Sequence, residues 1–182
     1  VTARLGTEEG VVAMTGLENG RCEFAHARPE LNGQVSLPVA DGGSVWLGTA
    51  RSGAIRLDAT GTAVEVNWPD SPVSAMAAAP DGGAWFVNPR QPWLTRLIAG
   101  NYQRIPLAQE LMDAAAIQNM AIAPNLTVWL GTSNGAMALN GGQWQTIRSA
   151  TGLADNDVQD VLVQPDGSIW FATRGGISLY RP

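Results

Sequence analysis

The fold is decided by residues 165–180, whose sequence is PDGSIWFATRGGISLY. This stretch contains an Asp-Gly turn, a strand centred on Trp170, a short glycine loop and a second strand. Related stretches recur at intervals of 39 to 44 residues along the chain. Three of them keep the tryptophan and a fourth has lost it, and they are centred on Trp46, Trp85, Trp129 and Arg4.

A period near forty residues, with several short strands in each unit, is typical of β-propeller blades. The Asp-Gly pairs agree with this interpretation, because they supply the positive φ that a tight hairpin between two strands requires. The sequence therefore predicts an all-β fold, a β-propeller with about four to five blades of four antiparallel strands. We label the strands of a blade A, the innermost, to D, the outermost, and we expect residues 1–182 to form a single propeller domain.

The predicted blades divide the chain unevenly. The two end pieces are strands B to D and strands A to C, so they overlap and do not complete one blade. Unpaired inner strands would be costly, so we favour an arc of a larger propeller over a self-contained ring of four or five blades. A helical turn is expected within residues 107–116 because strong helix formers are frequent there. The predicted pieces are a part-blade at 1–27, blades at 33–68, 73–106 and 118–148, and a part-blade at 158–182.

The recurring tryptophans lie in the middle of the predicted B strands, where a large ring can fill the gap between neighbouring sheets. Each ring would bury about 150–250 Å², which corresponds to roughly 4–6 kcal/mol as an upper bound. The small residues that follow, such as Gly48 and Gly131, would let adjacent backbones approach closely. We therefore predict that the tryptophans are equivalent wedges between blades.

Residues 151–177 resemble the two-component regulator propeller repeat. The resemblance rests on a Gly-Leu linker, Asn156 before an inner strand that begins at Val158, an Asp-Gly turn, Trp170, and Gly176 before the next strand. Proteins with such repeats usually form seven-bladed propellers in the periplasmic or extracellular part of sensor kinases. The resemblance therefore implies a sensor or scaffold module of seven-bladed type outside the cytoplasm.

Composition excludes several other classes of function. The net charge is −5 and no basic stripe is present, which disfavours nucleic-acid binding. No apolar run approaches the roughly 20 residues that a membrane span requires. The single Cys22 rules out an internal disulfide. The Asp-Gly turns lack the spaced oxygen ligands that calcium prefers, so we predict neither a metal nor a cofactor.

The B–C loops and the linkers from strand D to the next strand A share one face of a propeller, and we expect binding there. Segment 88–93 is the most irregular of these loops, and an arginine beside a tryptophan is common at interfaces. The predicted function is a non-catalytic module that binds a protein, or a small or carbohydrate ligand. The alternative is a structural subunit of a larger extracytoplasmic or membrane-associated assembly. The predicted binding residues are Arg51, Arg90, Trp93, Asn134 and Arg174.

A propeller lyase is the third and least favoured hypothesis. Such an enzyme would need a catalytic histidine near a metal on the central face, and His26 is the only histidine. His26 falls in a predicted outer strand, and about 13 Å of extended chain separates it from Cys22. The two cannot share a metal or form a catalytic pair, so we predict no catalytic residue.

Overall fold

The computed structural model describes residues 3–7, 10–15, 23–28, 35–41, 44–49, 53–58, 63–64, 72–113 and 116–182. Contacts between Cα atoms divide the chain into two compact units, Val1–Ser74 and Ala75–Pro182. The predicted single domain and its blade boundaries stay predictions.

The first unit contains two antiparallel sheets. In sheet 1 the strands β1, β2 and β3 follow one another in chain order. Sheet 2 has the order β4-β5-β6-β7, and its innermost pair is interrupted by a bulge between Ser36 and Val39. The strands are β1 (Ala3–Thr7), β2 (Gly10–Thr15), β3 (Glu23–Arg28), β4 (Val35–Asp41), β5 (Ser44–Thr49), β6 (Gly53–Leu57) and β7 (Ala63–Val64).

The second unit contains three antiparallel sheets, again with the strands in chain order. Sheet 3 comprises β8 (Ala75–Ala78), β9 (Ala84–Val87), β10 (Trp93–Ile98) and β11 (Asn101–Pro106). Sheet 4 comprises β12 (Ile117–Ile122), β13 (Val128–Thr132), β14 (Gly135–Asn140) and β15 (Gln143–Ile147). Sheet 5 comprises β16 (Val158–Val163), β17 (Ile169–Thr173) and β18 (Gly176–Tyr180).

Two short helices lie between these sheets, α1 (Gln109–Asp113) and a 3-10 helix (Ser149–Thr151). The helical turn expected within residues 107–116 is thus confirmed. Meandering sheets of three or four antiparallel strands are the pattern of propeller blades.

The turns between strands A and B of the second unit share one hydrogen-bond pattern. In the first of them, the Ala79 amide donates to the Gly83 carbonyl at 2.8 Å and the Gly82 amide donates to the Ala79 carbonyl at 3.0 Å. The same two bonds join residues 123–127 and 164–168. This is a turn followed by a residue with positive φ, the usual form of a three-residue hairpin loop.

In each of these turns one residue supplies a side-chain hydrogen-bond acceptor and the residue after it has the positive φ. The side-chain oxygens of Asp81, Asn125 and Asp166 each accept a hydrogen bond from the amide two residues later. The next residue has the positive φ, which is 78° at Gly82 and 84° at Gly167. In the middle turn Leu126 takes this conformation, with φ of 66°.

Sheets 3 and 4 are joined by one buried cluster. On the side of sheet 3, Trp85, Val87 and Leu94 belong to it, and β8 lies beside β12. We call the side of a sheet from which its tryptophan projects the Trp face. The buried residues that sheet 4 contributes to the cluster are aliphatic, namely Met120, Val128, Leu130, Met137 and Leu139, and the half-buried Trp144 of the same sheet also packs against it.

Sheets 4 and 5 are packed around Trp129. Its ring centroid lies 5.6 Å from that of Phe171 and 5.4 Å from that of Tyr180. A β-carbon added to Gly131 would lie 3.0 Å from the Val158 side chain and 3.1 Å from its carbonyl oxygen. The absence of a side chain at this glycine therefore allows β13 and β16 to approach, as the sequence predicts.

The tryptophans are not all wedges. Trp85 and Trp129 are 6% and 5% exposed and lie between sheets, and Trp46 is 3% exposed. Trp170 takes the equivalent place in β17, but 39% of its surface is exposed. The prediction that it packs like the others was wrong, because burial depends on the neighbouring sheet as well as on the repeat.

We expect Leu126→Gly to stabilise the protein by about 0.5–1 kcal/mol. Positive φ costs a residue with a β-carbon roughly 1–2 kcal/mol, part of which is offset by the greater freedom of glycine in the unfolded chain. Urea unfolding would measure the change. The matched variant Gly167→Ala should lose stability, and a destabilised Leu126→Gly protein would contradict this account of the turn.

We expect Gly131→Ala to destabilise the protein by about 1–3 kcal/mol, because the added methyl group overpacks the contact with Val158. Urea unfolding is again the measurement. Ala172 takes the same place in the exposed face of β17, so Ala172→Val should change the free energy of unfolding by less than about 0.5 kcal/mol. Equal effects of the two variants would argue against a close approach at Gly131.

Candidate functional site

The B–C loops of the second unit are each hydrogen-bonded to a linker between sheets. The Leu107 amide donates to the Pro92 carbonyl at 3.0 Å, and the Ser133 amide donates to the Ala116 carbonyl at 3.1 Å. The Arg174 amide donates to a carbonyl of the linker before sheet 5 at 2.9 Å. We call this side of the second unit the loop end. It comprises residues 88–93, 107–113, 116, 133–134, 148–157 and 174–175.

Arg90 lies on a turn that the buried Asn88 fixes. The Asn88 side-chain oxygen accepts a hydrogen bond from the Arg90 amide at 2.9 Å, and its carbonyl accepts one from the Gln91 amide at 3.1 Å. Asn88 is only 5% exposed, whereas Arg90 is exposed. The backbone of this predicted site residue is therefore held while its side chain faces solvent.

Trp93 begins β10 and pairs with Pro106 of β11. Its ring is half-buried, and the guanidinium carbon of Arg104 lies 4.8 Å from the ring centroid. Sequence reasoning coupled Trp93 with Arg90 and missed Arg104. The signal that could have found it is the strand register, since Arg104 pairs with Thr95, two residues beyond Trp93. An arginine over an aromatic face is favourable, so Arg104 belongs to the candidate site.

Asn134 and Arg174 are brought to the same linker. The Gly135 amide next to Asn134 donates to the Asn156 carbonyl at 2.6 Å, and the Arg174 amide donates to the Asp157 carbonyl at 2.9 Å. Both predicted residues are exposed. The Asn134 amide also donates to the Thr132 hydroxyl at 3.1 Å. These two site residues therefore flank residues 156–157.

The polar side chains of the linker hold its shape. The Asp157 carboxylate accepts a hydrogen bond from the Gln118 side chain at 2.8 Å, and the Asp155 carboxylate accepts one from the Asp157 amide at 2.8 Å. The Asn156 side-chain oxygen accepts one from the Ser149 amide at 2.7 Å. Carboxylates thus stabilise the loop end from within, while arginines project from it.

Arg51, the fifth predicted binding residue, lies outside the described residues. Cys22 also lies outside them, and His26 is described only as part of β3, an edge strand of sheet 1. No contact places Arg90 beside Asn134 or Arg174 in the described part of the second unit, where they belong to different loops.

A cavity of about 260 Å³ lies between sheets 4 and 5 at the opposite side from the loop end. Trp129, Tyr180, Gln145 and Asp166 are among its lining residues, and none of the four predicted site residues that the structure describes lines it. Hydrogen bonds from the Ser168 side chain and backbone lower the pKa of Asp166. Sequence reasoning did not find this cavity, because it arises from the packing of two sheets.

The described ranges contain neither a membrane-spanning helix nor a cluster of metal-ligating side chains. Among these residues, no helix has the length and apolar character needed to cross a membrane. The same residues contain no group of three or more histidine, cysteine, aspartate or glutamate side chains placed to hold a metal ion.

Comparison with known families supports the resemblance seen in the sequence. Residues 152–175 match the family model described as two component regulator propeller. The matched segment includes the linker residues that hold the loop end, as well as β16 and β17. No curated protein sequence matches the chain.

Solved structures share the fold. The extracellular domain of BT4673 from B. thetaiotaomicron, assigned to a one-component system, is 18% identical with a TM-score of 0.57, and the match covers 100% of this chain and 31% of that one. The extracellular domain of BT3049 from the same organism, assigned to a hybrid two-component system, is 17% identical with a TM-score of 0.68, covering 98% and 25%. Virginiamycin B lyase from Staphylococcus aureus is 12% identical with a TM-score of 0.67, covering 97% and 64%.

The chain spans between a quarter and a third of the length of the first of these structures. Identities below 20% carry the likeness of fold and nothing further. The chain has the all-β fold of a β-propeller and, as its sequence indicated, residues 152–175 match the two-component regulator propeller repeat.

Proposed function

We propose that the chain is a non-catalytic binding module of a sensor and that its loop end contacts the ligand or partner. One observation supports this most directly. At Arg90, Asn134 and Arg174 the backbone amide is hydrogen-bonded while the side chain is exposed. Held loops with free polar side chains suit recognition, because less conformational freedom is lost on binding.

The exposed groups suggest the chemistry of the ligand. Arg90, Arg104 and Arg174 offer guanidinium groups, which bind carboxylates in a bidentate manner, and Asn134 can both donate and accept hydrogen bonds. Half-buried Trp93 offers an aromatic surface beside Arg104. We propose an acidic ligand, which is either an acidic peptide segment of a protein or an acidic carbohydrate.

The location proposed for the module is outside the cytoplasm. The support is that BT4673 and BT3049 are extracellular domains of proteins assigned to signalling systems. An enzyme is not our proposal, although a lyase shares the fold. Propellers host many unrelated functions. The exposed arginines at the loop end favour binding over catalysis.

We expect Arg174→Ala to weaken binding of an acidic probe at least about fivefold, since contacts that matter at interfaces are worth more than 1 kcal/mol. The probes would be immobilised oligogalacturonate, a Glu-rich peptide and, as the neutral comparison, maltotriose. The double variant Arg90→Ala/Trp93→Ala should weaken binding without unfolding the protein. Surface plasmon resonance would measure affinity and circular dichroism would measure folding.

Arg181→Ala provides the matched control for this experiment. Arg181 is also exposed, but it follows β18. Its positive charge contributes to the lowered pKa of Asp166, which lines the cavity. Its removal should leave the affinity unchanged. Loss of binding in Arg181→Ala but not in Arg174→Ala would place recognition at the cavity, and unchanged affinity in both loop variants would reject the loop end.

A further inference from the structure

In two sheets an arginine of strand C lies over the tryptophan of strand B. Trp46 of sheet 2 pairs with Arg56, whose guanidinium carbon lies 5.6 Å from the centroid of the Trp46 ring. Trp85 of sheet 3 pairs with Arg96, and the corresponding distance is 5.4 Å. Side chains that pair across neighbouring strands project from the same side of a sheet. Each arginine therefore places a cation on the Trp face of its own sheet, where a guanidinium over the ring is favourable.

The arginine of sheet 3 also has a carboxylate partner. The Arg96 guanidinium donates a hydrogen bond to one carboxylate oxygen of Asp81, which lies in the turn between strands A and B. The other carboxylate oxygen accepts a hydrogen bond from the Gly83 amide at 3.0 Å, so the turn holds the carboxylate in place. The guanidinium of Arg96 thus contacts both an aromatic ring and a carboxylate.

Sheet 4 lacks both members of this ion pair. Ala138 pairs with Trp129 at the register position of Arg96, and Asn125 takes the place of Asp81 in the turn. The cavity of about 260 Å³ between sheets 4 and 5 is lined by the alanine, the asparagine and the tryptophan. By register, the cavity therefore takes the place that the arginine side chain has in sheet 3.

The charge of the cavity suits a cation. Among the described residues that line it, Asp166 supplies the one carboxylate and none is basic. One carboxylate oxygen accepts hydrogen bonds from the Ser168 hydroxyl at 2.6 Å and from the Ser168 amide at 2.9 Å. These bonds lower the pKa of Asp166, and the charge of Arg181 adds to the effect. Asp166 is therefore ionised at neutral pH.

The other lining groups suit a small planar donor. Asn140 and Gln145 are exposed, and their amide oxygens can accept hydrogen bonds. The ring centroid of Tyr180 lies 5.4 Å from that of Trp129, so two aromatic rings border the space. Pockets for drug-sized ligands measure about 300–1,000 Å³. This smaller cavity matches a single side chain, and a guanidinium offers a planar fork of N–H donors.

We infer that the cavity between sheets 4 and 5 binds a guanidinium group, supplied by an arginine side chain of a peptide or by free arginine. The ligand would place its cation against Trp129 and Asp166. Arg96 makes the corresponding contacts with a ring and a carboxylate within sheet 3. The cavity lies at the opposite side from the loop end and would take a ligand of opposite charge, so this inference is independent of the proposed function.

Two arginine probes test this inference, acetyl-arginine methylamide, which imitates a peptide side chain, and free arginine. The control is acetyl-citrulline methylamide, which has the same length but a neutral urea group. The shift of the Trp129 indole N–H signal in NMR titrations measures binding. We expect a Kd on the order of 1 mM for an arginine probe and at least about tenfold weaker binding of the citrulline probe. The tighter of the two arginine probes identifies the source of the group.

Two variants change the cavity itself. Ala138→Arg gives sheet 4 the arginine that sheet 3 has, and it should abolish binding. Asp166→Asn should weaken binding of the arginine probe at least about fivefold and leave the citrulline probe unaffected. The turn should tolerate this change, because Asn125 makes the same hydrogen bond in sheet 4. The matched control Asp81→Asn removes the same charge from a turn outside the cavity and should leave the affinity unchanged.

Other outcomes would overturn the inference. Equal affinities for the arginine and citrulline probes would exclude recognition of a cation. An unshifted Trp129 signal with either arginine probe at about 10 mM would exclude the site. Equal losses in Asp166→Asn and Asp81→Asn would reduce the effect to the overall charge of the chain. Should Ala138→Arg fail to fold, as circular dichroism would show, Asp166→Asn and its control still decide.

Discussion

The packing of one tryptophan per sheet against the next sheet is the constraint on which the second unit depends. A large ring in the middle of a strand leaves space around it that must be filled to the density of a protein interior. Sheets 3 and 4 fill this space differently, the first with its own Val87 and Leu94, the second with Phe171 and Tyr180 from its neighbour. The repeat places a tryptophan at this position in each sheet of the second unit, while the residues beside it determine how the neighbouring sheet packs.

Local features of the fold were predictable from the sequence for a physical reason. An Asp-Gly turn depends on residues two positions apart, since Asp166 accepts a hydrogen bond from the Ser168 amide and Gly167 has the positive φ. The forty-residue period then repeats these local rules. The turn at Leu126 shows the limit of this reasoning, because the same hydrogen-bond pattern forms with leucine at the position that glycine has in the other two turns.

Burial at Trp170 could not be predicted from the repeat. Its place in the strand and in the register is that of Trp129, although its cross-strand partners are leucines where Trp129 has alanines, and its exposed fraction is far larger. Side-chain burial is a property of two surfaces, and the repeat specifies only one of them. The same reasoning explains why the cavity beside Trp129 was missed, since residues from five strands of sheets 4 and 5 and from the neighbouring turns enclose it.

The candidate site was predictable as a set of exposed loop residues but not as an arrangement. Gln118 and Asp157 are 39 residues apart, and only the fold brings the amide to the carboxylate. Asn156 was visible in the repeat motif, and its side chain proves to bind the Ser149 amide. Arg104 gave no signal in the loops, because it reaches Trp93 across a strand pair.

At the loop end, arginine side chains are exposed while a linker carboxylate is hydrogen-bonded within the structure. The whole chain has a net charge of −5, which would repel an acidic ligand at long range. At physiological ionic strength charges are screened over roughly 8–10 Å, so a bound ligand would interact mainly with the groups nearest to it. The carboxylate of Asp157 is hydrogen-bonded to Gln118, whereas Arg90 and Arg174 face solvent. Recognition at this end would therefore depend on short-range contact with arginine and not on electrostatic attraction from a distance.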